Sequence, residues 1–187
     1  MTCTDCHGGN PEATDQRRAH AGNIGPDQAT SAVNYRNIPA TCARCHPAVA
    51  GDFRKSAHFR HLVAKGQARQ GPSCVTCHGA MNVTVLNIND VRPACARCHN
   101  ARTGNHPDIP AKAEAILGEF LSIHRYERYI AIRAKPEDLK ATFQVVDRMV
   151  QDLDAEWHTF DLAAVGEKSQ KLLRFLKEQG REAGKKR

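Results

Sequence analysis

Cys3-Thr4-Asp5-Cys6-His7 opens a pattern that returns at Cys42-Ala43-Arg44-Cys45-His46, Cys74-Val75-Thr76-Cys77-His78 and Cys95-Ala96-Arg97-Cys98-His99. These stretches hold all eight cysteines. Each pair is C-x-x-C, and each is followed at once by histidine. Two zinc ribbons or a set of disulfides in an exported chain would use the same cysteine pairs. Neither needs a histidine after the second cysteine. Histidine makes up 10 of 187 residues, so four such placements by chance have a probability on the order of 10⁻⁵. C-x-x-C-H is the attachment signature of c-type haem. Two thiols a short loop apart can form thioethers to the two vinyl groups of one porphyrin. The next residue then lies under the iron, where its imidazole serves as proximal ligand. The expectation is four haem c groups with their iron. They would be attached at Cys3/Cys6, Cys42/Cys45, Cys74/Cys77 and Cys95/Cys98, with His7, His46, His78 and His99 as proximal ligands.

The rest of the composition agrees. The chain has only six Phe, three Tyr and one Trp, few aromatics for a large side-chain core. Porphyrin faces would supply the missing apolar interior. The formal charge is +7, which read bare would suggest nucleic acid, anionic lipid or an acidic protein as partner. Each bis-histidine haem contributes about −1 when ferric and about −2 when ferrous. Four of them bring +7 to roughly +3 oxidised and −1 reduced. Arg17, Arg18, Arg44, Arg54, Arg92 and Arg97 are natural propionate partners. No basic surface interleaved with aromatics argues for nucleic acid.

Thioether formation takes place on exported chains, so the expected location is the periplasm, the cell surface or the exterior. No charged and apolar leader precedes Cys3 in this numbering, so the export signal is expected to have been removed or left out of it. No apolar run reaches the length of a transmembrane helix.

The motifs are crowded into one end. The pairs start 39, 32 and 21 residues apart. The intervening sequence is rich in turn formers such as Gly8-Gly9-Asn10-Pro11, which predicts loops and short helices wrapped around haem. Residues 1–107 read as a tetrahaem-binding domain and 108–187 as a helical region packed on it. The fold class expected is mainly α, with extensive loops, a long C-terminal helical hairpin and little or no β. Ala111 to Ala134 reads as one helix ending before Pro136. Leu139, Phe143, Val146, Val150, Leu153, Trp157, Phe160 and Ala164 alternate steps of four and three. That heptad seam predicts a second long helix, running on through Leu172, Leu173 and Leu176 with a bend near Gly166. The seam suits an intrachain hairpin first and a homo-oligomer interface second.

Six histidines remain for the distal positions: His20, His58, His61, His106, His124 and His158. His158, between Trp157 and Phe160, has the aromatic neighbours that suit a haem face. His124 lies at the edge of an apolar stripe, where a core histidine bonded to a carbonyl would look the same. His61 lies one helical turn from His58, and His106 sits in a Gly104-Asn105-His106-Pro107 loop just past the last motif. Met81, three residues after His78, is an alternative ligand that would make a His/Met haem of raised potential.

Cys3-Thr4-Asp5-Cys6-His7-Gly8-Gly9, then Ala19-His20-Ala21-Gly22, then the second motif and Phe53-Arg54-Lys55-Ser56-Ala57-His58, resemble the nitrifier tetrahaem cytochromes. They also resemble the wider superfamily of pentahaem nitrite reductases and octahaem hydroxylamine oxidoreductases. The resemblance covers roughly residues 1–100. It implies that His58, the histidine of a Ser-x-His element, is a distal ligand, and His20 likewise. With His124 and His158 these complete the expected distal set of four. The resemblance departs at Met81, where relatives often carry a second histidine.

Two functions fit these residues. The first is electron transfer through four haems, as a carrier or as an extracellular conduit that polymerises into a cytochrome wire, with redox proteins or further copies of the chain as partners. The second is a small redox enzyme acting on nitrogen or sulfur oxyanions at one open iron. No motif marks a catalytic residue, and the expectation is a protein that is not an enzyme.

Overall fold

In the computed structural model, residues 3–20, 22, 25–64, 71–80, 84, 86–133 and 136–185 are described, the side chains of residues 3, 133, 136–143 and 182–185 excepted. The chain is built of helices and loops, with no strand among the described residues. It divides into two compact units, Met1–Thr84 and Val85–Arg187. The packing boundary thus falls after the third motif, and the fourth motif is built onto the helical unit.

Unit 1 is made of short helices with explicit stops. Helix α1 (Cys3–His7) is the first motif itself. Helix α2 (Gln16–Ala19) is capped by Asp15, whose carboxylate accepts from Arg18 N at 3.0 Å. Helix α3 (Ile38–Cys42) has Pro39 in its first turn and ends on the first cysteine of the second motif. Helix α4 (Pro47–Lys55) begins directly after His46, with Pro47 at its first position. Ser56 ends α4 and caps α5 (Ala57–Val63), accepting from Phe59 N at 3.0 Å. Helix α6 (Cys74–His78) is the third motif, closed by Gly79 at φ 80°. Between α5 and α6, Gly71 passes so close to the chain that a Cβ there would run into Leu62 N and the His58 carbonyl. The buried apolar side chains described in this unit are few: Pro39, Ala50, Phe53 and Leu62.

Unit 2 has a conventional core. Helix α7 (Ile88–Ala96) is capped by Asn87 and carries the first cysteine of the fourth motif. Helices α8 (Ile109–Arg133), α9 (Pro136–Glu156) and α10 (Leu162–Lys185) follow, with one 3₁₀ turn at Trp157–Thr159. Ile116 faces Gly166, Glu119 meets Ser169 and Tyr129 faces Gly180. This nearly constant offset makes α8 and α10 parallel neighbours. Phe120 meets Trp157 and His124 meets Asp154, so α9 runs antiparallel to α8. Ile116, Phe120, Ile123, Ile130, Val146, Val150, Leu153, Val165, Leu172 and Leu176 form one buried cluster.

The second long helix expected from the heptad seam is two helices. The chain breaks at Trp157–Asp161, with Phe160 in the left-handed region at φ 54°. Asp161 starts α10, its carboxylate accepting from Ala164 N at 3.1 Å. Lys168 bridges back to Glu156 at 2.6 Å across the break. Val146, Val150 and Leu153 are buried as the seam requires, but Val165, not Ala164, is the buried residue after the break. Leu139 and Phe143 lie outside the described side chains. The C-terminal region is therefore an up-down-up bundle, and α10 runs through Gly166 as one helix.

Candidate functional site

The first motif brings two imidazoles together. His7 ends α1, and His20 follows α2 at its C-cap. Their ring planes are 10° from parallel, with centroids 6.2 Å apart. Two imidazoles that bind one metal from opposite sides, each at roughly 2 Å, have ring centres about 6 Å apart. The separation fits an iron between them. His20 Nδ1 lies 2.8 Å from the Gln16 carbonyl. A proton on Nδ1 donated to that carbonyl leaves the Nε2 lone pair for metal.

The fourth motif repeats the arrangement in a shorter span. His99 and His106 have ring centroids 6.4 Å apart, tilted by 47°. His99 Nδ1 lies 3.0 Å from the Asn105 carbonyl. The loop can return this tightly because Gly104 and His106 both adopt left-handed backbone, at φ 64° and 46°. A non-glycine residue there is uncommon. His106 was one of six candidates on sequence and stood outside the expected distal four. The Gly-Asn turn immediately before it was the available signal.

The third motif shows the same orienting bond, with His78 Nδ1 2.8 Å from the Thr84 carbonyl. The second and third motifs meet directly, since the Cys42 and Cys74 thiols are in hydrogen-bond contact. As thiols, that contact holds Cys42 down at about 7, while the same contact and burial push Cys74 up. Tyr35 O–H donates to the Gly71 carbonyl at 2.8 Å and lies 3.1 Å from Thr76 Oγ1, inside the third motif. In the second motif Arg44 Nη1 donates to the Asp5 carbonyl at 2.8 Å, inside the first.

The other candidates have varied settings. His58 is half-buried on α5 and His61 is exposed on the same helix. His158 lies in the 3₁₀ turn, its Nδ1 3.3 Å from the Asp154 carbonyl and its ring edge-on to Phe160. His124 stands between carboxylates, with Nδ1 3.4 Å from Glu127 and Nε2 3.9 Å from Asp154. Burial pushes the Asp154 carboxyl up, His124 pulls it back and Glu127 adds to the rise. Arg92, expected as a propionate partner, pairs with Glu114 at 2.9 Å. Met81 and the Cys3 side chain lie outside the described residues.

His78 and His99, each held through Nδ1 by a backbone carbonyl, leave Nε2 for metal beside a C-x-x-C pair, which fits haem.

Residues 27–100 match the family model of cytochrome c7 and related cytochrome c. The matched segment holds the second, third and fourth motifs. It supports a multihaem c-type cytochrome that works in electron transfer with covalently bound haem c. Cytochromes of this family are typically periplasmic or exported. No curated protein and no solved structure matches the chain. No described helix is long and apolar enough to cross a membrane.

Proposed function

We propose that the chain carries four haem c groups, one at each C-x-x-C-H motif, all within residues 1–107. It would pass electrons between redox proteins outside the cytoplasm. The observation that carries this reading is the pair of imidazole separations, 6.2 Å for His7/His20 and 6.4 Å for His99/His106. Each is close to the spacing that the fifth and sixth ligands of one low-spin iron would take, which supports the reading. His20 and His106 are then distal ligands, and His58 is a third. The fourth is one of His61, His124 and His158. Of these, His124 is the weakest candidate, because both its nitrogens face carboxylates.

A six-coordinate iron changes oxidation state with little ligand movement, which suits an electron carrier. The protein supplies attachment through the cysteines, ligand orientation through the Gln16, Thr84 and Asn105 carbonyls, and apolar burial. The narrower kinship with the nitrifier tetrahaem cytochromes rests on the Ser56-Ala57-His58 element. End-to-end assembly of copies would extend the carrier into an extracellular conduit, and a strictly monomeric particle by light scattering would restrict it to a shuttle.

The test is the visible spectrum of the dithionite-reduced protein before and after carbon monoxide. An unchanged low-spin spectrum supports bis-ligated carrier sites. A shift of about a quarter of the Soret intensity would reveal one open iron, and with it the enzyme reading on nitrogen or sulfur oxyanions.

A further inference from the structure

We propose that the second motif is the centre of the unit 1 array: Cys42–His46 stands between the first and third attachment sites, so that these sites form a chain in sequence order. The inference rests on the haem reading above. Two separate links carry it, both within unit 1. Toward the first motif, Arg44 reaches across from the x-x positions of one C-x-x-C loop to those of the other, donating from Nη1 to the Asp5 carbonyl at 2.8 Å. Toward the third motif, Cys42 and Cys74, each the first cysteine of its pair, touch. The Tyr35 hydroxyl reinforces that side. Tyr35 stands just ahead of α3, which leads into the second motif, and its oxygen is bonded to Gly71 and Thr76, which flank and enter the third.

The two links use different ends of the second motif. The Cys42 thiol meets the third site, and the Arg44 side chain ties to the first. Attachment cysteines in contact bring two porphyrin edges together, because each thioether sits at the rim of its ring. Arg44 acts as a positioning residue, setting the first loop against the second without touching iron. The second site is therefore the one whose loss isolates the other two.

The iron positions in the haem-loaded protein, located by anomalous X-ray scattering, test this without any substitution. The expected result is that the iron at Cys42/Cys45 lies closer to the irons at Cys3/Cys6 and Cys74/Cys77 than those two lie to each other. The first and third irons as the nearest pair would overturn the inference and leave the haem reading intact. Absence of iron at the motifs would sink both. Arg44→Leu provides a second reading through the ferric electron paramagnetic resonance spectrum. The expected change is confined to the signals of the first and second sites, two of the four. An unaltered spectrum, or one altered chiefly at the third and fourth sites, would remove the Arg44 link.

Discussion

Unit 1 and unit 2 solve the same folding problem with different materials. Unit 2 buries a continuous cluster of Ile, Leu, Val and Phe between three helices, and its 24- and 25-residue helices α10 and α8 run side by side. Unit 1 has no described helix longer than nine residues, and its buried positions include Ser31, Ser56 and Ser73. Helices so short are not stable alone, and a handful of buried apolar side chains cannot offset the entropy of ordering this many loops. On the proposed haem reading, the cofactors supply the interior of unit 1. Thioether cross-links would also restrict its unfolded chain, as disulfides do. Dependence on haem is the property that divides the molecule.

The comparison breaks most visibly if haem is withheld. In protein made without haem attachment, hydrogen exchange should show unit 1 amides unprotected, while residues 113–130 and 162–180 keep much of their protection. Equal protection in both units would mean that unit 1 folds on side chains alone.

Next in size is a cavity in the helical core. Leu176 is fully buried, and Leu176→Ala should cost about 2–5 kcal/mol. Thermal unfolding followed by circular dichroism at helical wavelengths should show the loss, with the Soret band of the first three sites unmoved at room temperature. A Soret change of the same size as the helical change would contradict separate cores.

A local effect is expected at the fourth motif. His106→Ala should turn about one haem in four high-spin and open it to carbon monoxide, leaving the remainder unchanged. The same substitution at His124 should leave the spectrum intact, since its nitrogens face Glu127 and Asp154. Carbon monoxide binding in the His124 variant alone would reverse these assignments.

The smallest effect concerns Asp154. Its carboxyl is only half-exposed, and that partial burial raises its pKa in the folded protein. A carboxyl raised on folding favours the folded state when protonated, so this contribution fades as pH rises through the folded pKa. Asp154→Asn should therefore gain most relative to the parent near neutral pH and least in acid. Denaturant titrations at several pH values measure it, and the opposite trend would show that the His124 contact outweighs burial.

The four C-x-x-C-H motifs were legible because thioethers and a proximal ligand would demand contiguous residues. Helix α8 was legible for a similar reason, with Pro110 and Pro136 bracketing an apolar period. The expected span, 111–134, lies within two residues of Ile109–Arg133. The break after α9 was hidden because the four-three spacing continues through Trp157 and Phe160, and the seam counts positions without sensing backbone. Asp161, a cap residue three before Ala164, carried the missing information. Distal candidates were harder to rank because any loop or helix can deliver a histidine. His20 was singled out through resemblance, while the nearness of His106 to His99 depends on the left-handed turn at Gly104–His106.

The most direct test of the central claim is intact mass under denaturing conditions, which retains only covalently held groups. The account predicts the polypeptide plus four haems, falling to three when Cys95 and Cys98 are both replaced by alanine. A polypeptide of unmodified mass, or one carrying fewer than four haems when fully matured, would contradict it.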